Sequence, residues 1–211
     1  MTRTGATIGL LLLASVGAAQ DGQATTQSLD ALVQTCAACH GPEGQGVGDF
    51  PRLAGLGESY LVAQLEAFAN GKRENAIMKP LVAGFSDSQR QALAEHFSQL
   101  PVKAAQQGSG VADINEAGKN LAELGRWEDD IPACVQCHGP EGRGIGEDFP
   151  PLAGQPSRYI QDQLEAWRSG KRSGDPLGLM EQVAKSLKGD DLAPVADYFA
   201  SLSPKKEAGH E

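Results

Sequence analysis

The chain has 211 residues, long enough for two small domains, yet only 5% of its side chains are aromatic. With 27 acidic against 18 basic residues it carries a formal net charge of -9, and the acidity is spread over both halves. That balance excludes nucleic acid as a natural partner, and no apolar run reaches the roughly 20 residues that would span a bilayer.

Taken in order, the chain opens with Met1-Thr2-Arg3, an apolar stretch from Ile8 to Val16, and small residues at Gly17-Ala18-Ala19 before polar Gln20 and Asp21. This pattern predicts a secretory signal peptide over residues 1–19. Its removal leaves an exported chain one unit more negative, and the expected compartment is the bacterial periplasm.

Leu29, Leu32 and Val33 stand at helical spacing and lead into Cys36-Ala37-Ala38-Cys39-His40. Two thiols three positions apart with an imidazole directly after them are the pattern of covalent c-type haem attachment, the cysteines forming thioethers and the histidine lying under the iron. The pattern recurs as Cys134-Val135-Gln136-Cys137-His138, and together the two copies use all four cysteines. Zinc ribbons, redox dithiols and disulfides also use C-x-x-C, but none of them requires the trailing histidine. The expected cofactors are therefore two covalently bound haem c groups, held by Cys36 and Cys39 and by Cys134 and Cys137, with His40 and His138 as proximal ligands.

The repeat extends well past the motif. His-Gly-Pro-Glu-Gly follows each site, and Phe50-Pro51-Arg52-Leu53-Ala54-Gly55 answers Phe149-Pro150-Pro151-Leu152-Ala153-Gly154 after one inserted residue. Tyr60, Gln64-Leu65-Glu66-Ala67 and Gly71-Lys72-Arg73 answer Tyr159, Gln163-Leu164-Glu165-Ala166 and Gly170-Lys171-Arg172. Such a long period means a duplicated domain and not a solenoid. The expected division is an N-terminal domain over 20–102, a Gly-containing linker over 103–111, a C-terminal domain over 112–204 and a flexible tail over 205–211, in which His210 has no role.

Each copy reads as helical. Middle helices are expected from Ser59 to Asn70, with Tyr60, Leu61, Leu65 and Phe68 on one face, and from Ser157 to Ser169, with Tyr159, Ile160, Leu164 and Trp167. Ile114, Ala117, Leu121 and Leu124 predict a helix ahead of Cys134, and the last helices should begin at Ser86 or Asp87 and at Gly189 or Asp190. No stretch alternates as a strand would, so the fold class is all-α: two tandem haem domains in a pseudo-symmetric arrangement. The small aromatic content makes a poor core, and the haem is expected to supply the missing apolar mass.

Met78 lies 42 positions after Cys36 and Met180 lies 46 after Cys134, each a few residues before a final helix. A methionine is usually a core filler, yet the pairing of both with the repeat predicts axial thioether ligation. His96 is answered by Tyr198 in the second copy and reads as a packing residue. The glycine-rich runs after each histidine lack the preceding strand and following helix of a phosphate loop, and read as tight turns passing close to the porphyrin. Lys72-Arg73 and Lys171-Arg172 fit either haem propionates or a solvated helix end.

Two C-x-x-C-H domains, each with a P-x-L-A-G segment and a late methionine, with Ile131-Pro132-Ala133 ahead of Cys134, resemble the di-haem cytochrome c4 family over about residues 26 to 203. The resemblance implies two cytochrome c domains facing one another with their propionate edges towards the interface. It implies that the carbonyls of Pro51 and Pro150 accept hydrogen bonds from the proximal histidines. It also exposes a departure: Leu56 stands where Gln155 stands in the second copy, which predicts that an interface or propionate interaction is missing on that side.

Two strong axial ligands suit electron transfer, whereas chemistry at iron needs an open position. The expected function is a periplasmic electron carrier from a quinol-cytochrome c oxidoreductase or a dehydrogenase towards a terminal oxidase, touching the membrane only through those partners. The alternatives are the cytochrome subunit of a flavin-containing sulfide dehydrogenase, or a di-haem enzyme such as a peroxidase or thiosulfate dehydrogenase. No catalytic constellation of carboxylates or free cysteine favours the enzymes.

Overall fold

The computed structural model describes Met1 and residues 27–103 and 115–204. The predicted signal segment, the linker from 104 onwards, Ile114 and the predicted tail lie outside the described residues. The described chain holds helices α1 Leu29–His40, α2 Glu58–Ala69, α3 Met78–Val82, α4 Asp87–Ser98, α5 Glu116–Leu124, α6 Cys134–His138, α7 Ser157–Arg168, α8 Leu179–Ser186 and α9 Leu192–Ser201. Among the described residues there is no sheet, only isolated bridges.

The helix ends follow from local chemistry. Ser28 caps α1 by accepting from the Ala31 amide, and Ser86 and Gln89 form a reciprocal capping box at α4. In each half the last helix packs on the middle and first helices, α4 on α1 and α2, α9 on α5 and α7. The apolar side chains form two clusters. Leu32, Leu61, Leu93 and Phe97 centre the first; Leu121, Ile160, Leu164, Trp167, Val195 and Phe199 centre the second.

Two expectations are refined, and one, the inner face of the second half's first helix, needs correction. Each methionine opens or enters a short helix of its own, α3 or α8, ahead of the final helix; α3, with five residues, is too short to show a period. The first helix of the second half ends at Gly125, so a loop, and not a helix, leads into Cys134. That helix also buries Gly118, Leu121 and Ala122, while Ala117 is exposed and Leu124 is 65% exposed. Its inner face is set by Gly118, where a methyl group would stand 2.0 Å from the Pro194 carbonyl oxygen, so α5 and α9 cross at a distance that only glycine allows.

Candidate haem sites and the interface between them

Cys36, Cys39 and His40 occupy the last turns of α1, and Cys134, Cys137 and His138 make up α6. Each histidine is buried, with Nδ1 2.8 Å from a proline carbonyl, His40 to Pro51 and His138 to Pro150. A carbonyl can only accept, so Nδ1 carries the proton and Nε2 is left with its lone pair for a metal. Burial holds both imidazoles below the usual range; the proline carbonyl opposes that, and the nearby charge of Arg73 or Arg172 adds to it. Both are therefore neutral near pH 7, as a ligand must be.

All four thiols are free, and burial pushes Cys36 and Cys134 up to about 11. Among the described residues no group of three or more His, Cys, Asp and Glu side chains could hold an ion, and the two cysteine pairs belong to different halves. The four thiols are thus not gathered at one point, as a single four-thiolate zinc site would need.

The loops after the histidines owe their glycines partly to the protein's own packing. Gly44 and Gly142 adopt positive φ (62° and 68°), and a side chain there would strike Phe97 or Phe199 of the final helix. Around the same loops Val47, Phe50, Ile145 and Phe149 are left partly open, apolar surface that a porphyrin would cover.

Met78 and Met180 are half-buried. The backbone amide of Met78 donates to Asn75 Oδ1 (2.9 Å) and that of Met180 to Asp175 Oδ2 (2.6 Å), so an Asn or Asp fixes the start of each methionine segment. Sequence reasoning missed this pair; the signal was a short polar side chain at the head of both segments. Met180 packs on the same apolar cluster as Cys134, whereas Met78 does not belong to the cluster that Cys36 joins.

The halves meet around two arginines. Lys72 and Lys171 are exposed, but Arg73 and Arg172 are buried and pair backbone to backbone as an antiparallel bridge. Arg73 donates to Gln64 Oε1 (3.0 Å), Gln163 Oε1 (2.5 Å) and the Tyr159 hydroxyl (3.0 Å). Arg172 donates to Gln163 Oε1 (3.0 Å), Gln64 Oε1 (2.8 Å) and the Tyr60 hydroxyl (3.2 Å). Each guanidinium lies 4.4 Å above an aromatic ring, that of Phe68 or Trp167.

Arg52, 1% exposed, adds a third buried cation, its Nη1 on the Ala54 carbonyl (2.6 Å) and its Nη2 nearer the Ala153 carbonyl (3.4 Å). Its Nε has no partner, and burial lowers it to about 10. Among the described residues none of the three arginines pairs with a carboxylate. Buried charges are seldom left without counter-ions, so three cations beside two cysteine–histidine helices fit an anionic group such as a haem propionate. Gln155 and Leu56 bear out the asymmetry. Gln155 accepts from the Arg52 amide (3.0 Å) and donates to its carbonyl (3.1 Å), while Leu56 is buried in the first apolar cluster.

The all-α duplicated fold and its two cysteine–histidine helices define a c-type cytochrome built twice along one chain. The chain belongs to the cytochrome c family, in its tandem, cytochrome c4-like form: the family model "Cytochrome c" matches residues 22–101 and 116–203. It is 41% identical to the thiosulfate dehydrogenase electron acceptor of Stutzerimonas stutzeri (strain A1501), over 94% of each chain, and 46% identical to that of Thiomonas intermedia (strain K12), over 82% of each. To cytochrome c4 of Pseudomonas aeruginosa it is 35% identical, over 93% of this chain and 94% of the relative.

Among solved structures, reduced recombinant cytochrome c4 from Pseudomonas stutzeri is similar at a TM-score of 0.71 and 31% identity, over 83% of this chain and 99% of that one. The as-isolated thiosulfate dehydrogenase (TsdBA) from Marichromatium purpuratum is similar at 0.74 and 42% identity; 80% of this chain matches 36% of that longer one. The chain is thus a haem c electron carrier that works with redox proteins, and not a catalyst. Among the described residues no helix is long and apolar enough to cross a membrane.

Proposed function

We propose that the protein carries two covalently bound haem c groups and shuttles electrons in the periplasm, taking them from a thiosulfate dehydrogenase and passing them towards a terminal oxidase. Cys36 and Cys39 hold one group with His40 and Met78 as axial ligands; Cys134 and Cys137 hold the other with His138 and Met180. Bound there, haem supplies one-electron chemistry at iron. The protein's own residues keep each imidazole neutral and oriented through Pro51 or Pro150, and bury counter-charge at Arg52, Arg73 and Arg172.

The donor rests on one observation: the two relatives named as thiosulfate dehydrogenase electron acceptors match this chain at 41% and 46% identity, above the 35% of cytochrome c4. A quinol-cytochrome c oxidoreductase is the second reading, a donor suited to a periplasmic carrier similar to cytochrome c4. Stopped-flow mixing of the oxidised protein with thiosulfate dehydrogenase and thiosulfate should reduce both haems; reduction by the quinol enzyme alone would move the assignment there. Mass spectrometry should find two haems per chain. Met78→Ala and Met180→Ala should each remove one share of the weak far-red sulfur-to-iron band, and an intact band would reassign that ligand.

A further inference from the structure

The two halves differ most at a loop that the first half does not possess. In the first half α1 runs unbroken into Cys36-Ala37-Ala38-Cys39-His40, whereas in the second the chain leaves α5 at Gly125 and returns only at Cys134. At this place Leu124 and Trp127 are 65% and 62% exposed, the latter a large aromatic ring held in water. The other tryptophan, Trp167, is buried in the core.

The exposure is built, not incidental. The Arg126 amide donates to the Ile131 carbonyl (2.7 Å) and the Ile131 amide to the Arg126 carbonyl (3.1 Å), closing the loop at its base. The Arg126 side chain then grips Asp191 with both terminal nitrogens (3.0 and 2.7 Å) and Asp129 with Nε (2.5 Å), and Lys188 adds a second bond to Asp129 (3.0 Å). A loop so tied has its ordering cost met before any partner arrives, which is what makes a rigid aromatic anchor effective. Arg126 and Lys188 are thereby engaged, while Glu123, Glu128, Asp130 and Asp190 are exposed around the apolar pair. From Ile131 the chain needs only Pro132 and Ala133 to reach Cys134.

We infer that Leu124 and Trp127, with their acidic rim, form a docking surface on the C-terminal half for a redox protein whose electron-exchanging face is apolar at its centre and ringed by lysine and arginine. The inference rests on the carrier reading above and adds where and by what chemistry a partner binds. A second copy of the chain is a poor occupant, since its own rim is acidic and like charges facing each other repel.

The test uses the haem-loaded protein and, as a basic probe, a lysine-ringed mitochondrial cytochrome c. Calorimetry with both proteins ferric, so that no electron passes, should show binding that weakens as salt rises. Trp127→Ala should weaken it on the order of tenfold, as an anchor does. Glu128→Lys with Asp130→Lys should weaken it on the order of tenfold at low salt and flatten the salt dependence, because rim charges act through screened steering. Leu29→Ala, an exposed apolar residue of the other half, should leave it unchanged. Variants that bind as the wild type at every salt concentration would overturn the assignment, as would a dimer in sedimentation that Trp127→Ala abolishes. Failure of the carrier reading looks different: binding would persist while the ferrous protein passed no electron to the ferric probe.

Discussion

The two halves meet through one contact that is reciprocal and others that are one-sided. Arg73 and Arg172 make the same bonds to the same two glutamines and to each other's tyrosine, so each half supplies what the other needs. Beside them Gln155 of the second half reads both backbone groups of Arg52, and the reverse contact does not exist. The equivalent of Arg52 is Pro151, which has no amide to donate, and the equivalent of Gln155 is Leu56, which has nothing to accept with. The departure is thus double, and the two changes match. The single Arg52 side chain occupies the place between the equivalent Ala54 and Ala153 carbonyls, where a second guanidinium would add another buried charge.

The inserted residue of the second copy is part of the same lopsidedness. It falls at Glu147-Asp148, where the first copy has Asp49 alone. Helix α2 has Gly57 at its N-cap and no side-chain cap of its own; Glu147 supplies it from the other half, its Oε2 accepting from the Glu58 amide (2.6 Å) and its carbonyl from the Tyr60 amide (3.3 Å).

This contrast can be broken in steps of falling size. Arg73→Leu should have the largest effect, about 1–3 kcal/mol, because the Tyr159 hydroxyl loses its arginine donor while Gln64 and Gln163 each lose one of two. After cleavage in the linker the halves of the variant should separate on a sizing column while those of the wild type stay together. Gln155→Leu should cost about 1–3 kcal/mol by stranding the Arg52 amide and carbonyl, seen as a lower urea midpoint. Glu147→Ala should cost on the order of 1 kcal/mol, the usual worth of a cap. Leu56→Gln, which restores the missing side chain, should gain nothing, because Pro151 offers it no amide; a clear gain in the urea midpoint would refute the matching of the two changes.

Acid provides a further lever, read at an ion pair of the second half. The bonds from Arg126 hold the Asp191 carboxyl below the usual carboxylate range. Stability from a carboxylate so depressed is complete above the unfolded value near pH 4 and is lost as pH falls through the lower folded value. Urea midpoints should therefore drop below about pH 4 by an increment that Arg126→Met removes.

The helical class and the duplication were legible because they rest on local spacing, and the bonds of His40 and His138 to the Pro51 and Pro150 carbonyls because a resemblance carried them. What stayed hidden depends on partners distant in the chain. Nothing local distinguishes buried Arg73 from exposed Lys72, and the splitting of that pair is decided across the interface. The inner face of α5 was misread because its closest contact is made by Gly118, a residue with no side chain to mark a hydrophobic stripe. Asn75 and Asp175 escaped because a cap on a segment as short as α3 has no periodicity beside it.

Gly57 also fixes a length. A methyl group there would lie 2.1 Å from the Glu147 carbonyl oxygen, so any larger residue must push that segment of the other half away. In the di-haem protein proposed above, the missing side chain would act as a spacer gauge between the two groups. A slight drift at this half-buried seam position would be felt, in that proposed protein, as a slower exchange between its two ends.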